Sequence, residues 1–193
     1  MPGALDDTII RGFSGKVPAR GDFVHAGLPR DFEDPWHDWQ SMVIAGSRTL
    51  MGEAWLEAFL EAPVWRFALP SGLCGPRAAI GLIMPSVDKV GRYFPLTFAA
   101  LSDLGTPDAG AWSGWLDAVE DLGRAALDED AAPERLTPPP SPPGSGFIDT
   151  TECVWWTEGG PRVEATRLSL PSLPDAARFA SMLGHLAPTE SAQ

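Results

Sequence analysis

The chain has 193 residues, and 14 Lys and Arg against 26 Asp and Glu leave it at −12, without the broad positive field that nucleic acids and anionic membranes require. A single domain of this length buries about 70% of its unfolded surface, and a 44% hydrophobic fraction with 8 tryptophans supplies the core. Cys74 and Cys153 are too few for a disulfide framework or a zinc site, and neither a basic-then-apolar leader nor an 18-residue apolar window is present, so a cytoplasmic protein without membrane insertion is expected.

Residues 8–13, TIIRGF, form a β-prone run. Gly15, Pro18 and Gly21 then punctuate a loop with a short extended piece at Asp22–His25. Asp34-Pro35 reads as a helix start, with Asp34 capping and Pro35 at the first helical position. Trp36, Trp39, Val43 and Leu50 follow near helical spacing, and Trp55, Leu56, Phe59 and Leu60 extend the apolar face. Gly46 and Gly52 are candidate breaks between two helices.

VWRFALP, 64–70, alternates as a strand with Trp65, Phe67 and Leu69 on one face. AAIGLIMP, 78–85, is continuously apolar and suits a central strand covered on both faces. SVDKVGR, 86–92, is a polar turn into a strand at 93–101, where Pro95 belongs at a bulge or at the strand's start. Thr106-Pro107 is expected to open a helix that buries Trp112, Trp115, Leu116, Val119 and Leu122. The acid-rich stretch from Asp117 to Glu134 reads as a solvated face.

TPPPSPPGSG, 137–146, is a Pro-rich linker expected to be exposed. Residues 152–160 are a strand and turn, with Trp155 and Trp156 facing opposite ways, and 162–168 pair with it. Pro174 starts a last helix with Ala177, Ala180, Leu183 and Leu186 inward, ahead of a frayed tail at 187–193. The order β, α, β, β, β, α, β, β, α predicts a single α/β domain over 1–193, a three-layer α/β/α sandwich around a mixed sheet.

Candidate chemistry is sparse. SGKVPARGDF, 14–23, has the Gly-Lys of a phosphate-binding loop, but Ile10 stands where that loop needs glycine, and Val17 and Pro18 follow the lysine. Ser86 and Asp88 lie at a strand end, where reactive residues gather, yet MPSVD is no nucleophile elbow. A polar turn in which Asp88 accepts bonds from backbone amides accounts for it. A small hydrolase or nucleotide-binding enzyme using Ser86, Asp88 and Lys16 is the alternative reading. His25, His37 and His185 lack metal-ligand spacing, so neither metal nor cofactor is expected.

Charge is the remaining signal. Residues 11–30 hold Arg11, Lys16, Arg20 and Arg30 with Asp22 as their only acid, and Lys89 and Arg92 stand in the 86–92 turn. On so acidic a chain this concentration marks either a face for an acidic or phosphorylated partner or a set of local ion pairs.

The stretches GFSGKVPARGDFV, LPRDFEDPWHDWQ, VWRFAL, CGP, LIMPSVDKVGRYFPLT and VWWTEGG together resemble the TagF (ImpM) family of type VI secretion system-associated proteins, from about residue 11 to residue 184. The resemblance implies a cytoplasmic, non-enzymatic α/β protein that represses type VI secretion after translation. It would bind components of the system, with the forkhead-associated scaffold protein as partner. It implies no catalytic residues and makes the two lysine-bearing stretches, 14–23 and 86–94, the motif-bearing ones. Lys16, Arg20, Asp22, Ser86, Asp88, Lys89 and Arg92 are thus candidates for an interaction surface or a buried ionic lock.

Overall fold

The computed structural model describes residues 9–128, 132–142 and 146–185. Its centre is a seven-stranded sheet built from β1 (Ile9–Gly15), β2 (Val24–Ala26), β3 (Trp65–Leu69), β4 (Ala78–Met84), β5 (Leu96–Ser102), β8 (Cys153–Thr157) and β9 (Thr166–Leu170), in the spatial order β2-β1-β5-β4-β3-β8-β9. Every pairing in it is antiparallel. The expected mixed sheet is therefore corrected: β3, β4 and β5 form a meander through short turns, and no helix carries the chain between parallel neighbours.

β4 is central and buried along its whole length, as the unbroken apolar run predicts. Trp65, Phe67 and Leu69 of β3 face one hydrophobic cluster, together with Ala79 and Ile83 of β4. Ala68 of β3 and Ile80, Leu82 and Met84 of β4 face another. The period of two thus gives the sheet two apolar faces. Trp155 joins the first cluster and Trp156 packs against the second, in line with their alternation.

The first cluster is completed by α1 (Arg30–Met51), α2 (Trp55–Leu60) and α4 (Ala176–Met182), the second by α3 (Ser113–Ala126). Helix α1 starts four residues before the expected Asp34 cap, and Pro35 lies inside it. Phe32 is buried and stacks on Trp36 with centroids 5.4 Å apart, so burial extends the helix one turn past its proline. The missing Pro35 amide costs only the bond to the Asp31 carbonyl. Gly46 does not break the helix. A Cβ there would stand 2.4 Å from the Ala176 Cβ, so this glycine lets α4 cross closely. The break falls at Gly52, which has φ of 57° and begins a single 3₁₀ turn, Gly52–Ala54.

Other expectations need correction. Leu50, Leu56 and Leu60 are exposed, as is Ala177. Thr106–Pro107 form a short strand, β6, paired with β7 (Phe147–Ile148), and α3 begins only at Ser113. The proline at 107 ends that strand before the chain turns into the helix. The acid-rich stretch is not wholly solvated, because Arg66 of β3 reaches Asp117 at 2.7 Å and the half-buried Glu120 at 2.9 Å.

The Pro-rich segment is also more than a spacer. Leu136 and Pro138 are buried, and the Trp115 indole donates to the Pro139 carbonyl at 3.0 Å. Prolines lack donors but keep good acceptors, so a polyproline run can receive an indole N–H from the core. Residues 143–145, Leu186 and the expected tail at 187–193 lie outside the described residues. No described helix is long and apolar enough to cross a membrane.

Candidate interaction site at one end of the sheet

The antiparallel register places the two lysine-bearing stretches together. β1 ends at Gly15 while its neighbour β5 begins at Leu96, with Ser14 opposite Thr97. The residues after β1 therefore meet the turn that joins β4 to β5. Gly15 permits the approach: its φ is 141°, and a Cβ would lie 2.2 Å from the Pro95 carbonyl oxygen.

Lys16 is 5% exposed and Asp88 3%, and the Lys16 Nζ pairs directly with Asp88 Oδ2. The same carboxylate oxygen accepts from Arg92 Nε at 2.7 Å. Asp88 Oδ1 accepts from the amides of Val90 at 3.0 Å and Arg92 at 2.9 Å. Burial alone would push the Asp88 carboxyl up. The hydrogen bonds from Lys16, from the Arg92 amide and side chain and from Val90 outweigh it and hold the group well below the usual carboxylate range.

The remaining contacts stitch the stretches by their backbones. Ser86 Oγ donates to the Lys16 carbonyl at 2.6 Å, and the Lys89 amide donates to the Arg20 carbonyl at 2.9 Å. Arg92 Nη2 donates to the Gly21 carbonyl. Within the turn the Asp88 amide donates to the Arg92 carbonyl and the Gly91 amide to the Asp88 carbonyl, both at 3.0 Å. The turn is thereby fixed, with Lys89, Val90 and Arg92 exposed on it.

Of the residues singled out from sequence, Lys16, Ser86, Asp88 and Arg92 converge in this cluster. Lys89 and Arg20 contribute their backbones, and the Arg20 side chain reaches out to Glu134 at 2.7 Å. Asp22 is exposed and takes no part in the ion pairs. Lys16 is paired with Asp88, and the Ser86 hydroxyl donates to a backbone carbonyl in place of the side-chain base that activates a nucleophile. Among the described residues no group of three His, Cys, Asp or Glu is arranged to hold a metal ion.

Sequence reasoning overlooked an adjoining cleft of about 350 Å³, lined in part by Ser14, Gly15 and Phe23 and by the first turns of α1. Helix α1 is set over it by Thr97, whose Oγ1 accepts from Trp36 Nε1 at 3.0 Å and Gln40 Nε2 at 3.1 Å. Phe23, His37 and Phe94 touch one another along its wall. The available signals were the aromatic residue closing each lysine-bearing stretch and the spacing of Glu33 and His37 on one helix face.

Comparison with known proteins bears on family and fold. The model of the TagF N-terminal domain, type VI secretion system-associated, matches residues 12–138. The crystal structure of PA0076 from Pseudomonas aeruginosa PAO1 is similar in fold, with a TM-score of 0.78 and 34% sequence identity over 92% of this chain and 97% of that one. No curated protein sequence matches.

Proposed function

From the premise that the chain belongs to the TagF family of type VI secretion system-associated proteins, we propose that it is a cytoplasmic, non-enzymatic repressor of a type VI secretion system. It acts after translation by binding a component of the system, with the forkhead-associated scaffold protein as its partner. The same reading takes the two apolar sheet faces and their helices as a three-layer α/β/α sandwich.

The observation that carries the binding reading is the fixed β4–β5 turn. Asp88 spends its acceptors inside the chain, so Lys89, Val90 and Arg92 stand on a surface already ordered before a partner arrives. A preordered surface loses less entropy on association. The exposed Lys89 ammonium on it suits an acidic or phosphorylated patch. The pairing of Lys16 with Asp88, and a Ser86 hydroxyl that donates to a carbonyl and not to a base, count against the hydrolase or nucleotide-binding alternative.

Deleting the gene should raise export of the secreted tube protein under conditions where secretion is normally low. Unchanged export with an otherwise inducible system would overturn the repressor reading. A pull-down with Lys89→Glu as bait, which leaves the Asp88 pairs intact, should lose the scaffold protein that the native chain retains.

A further inference from the structure

We propose that the open edge of the sheet at β9 pairs antiparallel with the β9 of a second copy of the chain, about a two-fold axis at Leu168. The proposal does not rest on the secretion reading. Among the described residues β9 pairs with β8 alone, which leaves the amides and carbonyls along its other side without a ladder. Such an edge is a template for a further strand. The opposite edge is blunted by its length, because β2 spans only three residues. β9 spans five and holds no proline, and its register with β8 runs unbroken from Leu170 to Thr166, so no bulge turns it away.

The residues of β9 select their own copy. An axis at Leu168 sets Leu168 against itself, Arg167 against Ser169 and Thr166 against Leu170. An axis at Arg167 would oppose two guanidiniums, and one at Ser169 would set Arg167 opposite Pro171, which has no amide to give. Both faces of the strand suit the first axis. Leu168 and Leu170 are half-buried against the first cluster, and a second Leu168 beside them extends their cover. On the other face Ser169 Oγ donates to Glu152 Oε2 at 2.5 Å, and that carboxylate has no ion pair among the described residues. The exposed Arg167 guanidinium likewise meets no carboxylate within its own chain, only the Trp156 ring at 5.7 Å. Pairing sets the second copy's Arg167 opposite Ser169 and so beside Glu152, and the symmetry makes this charge pair twice.

The test is sedimentation equilibrium of the full chain from micromolar to millimolar concentration. The mass should rise from 20.6 kDa toward twice that value. Arg167→Glu, at an exposed position, sets an acid beside Glu152 and should raise the dimer Kd about tenfold or more. Adding Glu152→Arg to that variant should restore association, which a folding defect would not allow. Leu168→Cys should form an intermolecular disulfide in mild oxidant, whereas Ser169→Cys, held away from its own copy by the axis, should not. The proposal is overturned by a chain that stays monomeric throughout, which would leave the edge to a strand of another protein. It is equally overturned by an Arg167→Glu variant that associates like the native chain, by a folded double variant that does not recover, or by cross-linking at 168 no faster than at 169.

Discussion

The Phe23 ring lies 5.0 Å from the Lys16 Nζ and so roofs the ammonium that pairs with Asp88. At 43% exposed, the same ring also walls the cleft. One aromatic residue thus connects a buried ion pair to a surface site. Its cation–π contact adds to the confinement of a lysine whose stem is already buried.

The ion pair should be a strong determinant of stability when broken from one side. Asp88→Asn keeps the shape of the turn but leaves the Lys16 ammonium buried without its counterion, and the Tm should fall on the order of 10 °C. Lys16→Met should also destabilise. The double variant should be more stable than the sum of the two changes predicts, because neither charge is then stranded. Thermal unfolding of the four proteins checks this, and a drop of only a degree or two for Asp88→Asn would show a screened pair.

Acid should act through the same group. The Asp88 carboxyl is held below its usual range in the folded state, so the unfolded chain binds that proton more readily. The stability it contributes is complete above the ordinary carboxylate value, about pH 4, and is lost as pH falls from there toward the folded value. Glu120, resisted by its own burial but held down by Arg66 and Arg124, acts with the same sign. The loss of Tm between neutral and acid pH should therefore be smaller in Asp88→Asn than in the native chain. Equal losses would remove Asp88 from the acid response.

Removing Pro138–Pro140 should destabilise the fold, since it withdraws a buried ring and the carbonyl that accepts the Trp115 indole. A buried donor left unmade costs about 1–3 kcal/mol, which for a chain of this size is a fall of roughly 2–12 °C in Tm. An unchanged melting curve would show that the segment only spans a gap.

The two thiols should be inert in the native state. Burial pushes the Cys74 thiol up to about 12, and burial also raises Cys153, whose Sγ donates to the Ser172 carbonyl at 3.1 Å. Without thiolate there is little nucleophile at pH 8. Ellman's reagent should label both cysteines in urea and neither quickly in buffer. Fast native labelling of Cys74 would mean that its cover opens readily.

Much of the architecture is legible from local pattern. Alternation in 64–70, the apolar run of 78–84 and the stripe from Trp112 to Val119 each specify a face, and the structure buries those faces. The strand pairing is less legible, because the sense of a sheet depends on which strands meet, and β1 meets β5 across some eighty residues. Thr106-Pro107 misleads because a threonine–proline pair suits a helix entrance and an edge strand equally well. Within the site, the composition of 14–23 and 86–92 identifies the charged residues. It is silent on pairing: Asp22 and Asp88 look alike in sequence, and only Asp88 lies in the turn that β5 brings against Lys16. The cleft draws on β1, α1 and the β4–β5 turn at once, so no single segment announces it.

The indoles that tie the later part of the chain to the earlier part all give to main-chain oxygen. Trp39 donates to Pro174 at 2.8 Å, Trp65 to Met182 at 3.0 Å and Trp115 to Pro139 at 3.0 Å. Every amino acid carries that acceptor, so the dependence between the two parts is one-sided. The tryptophans are hard to replace, while a receiving side chain answers to its own packing, as buried Met182 does, and not to the bond that its carbonyl accepts. A change at Met182 or Pro139 is therefore felt through packing alone, whereas one at Trp65 or Trp115 cuts a tie between the two parts of the chain.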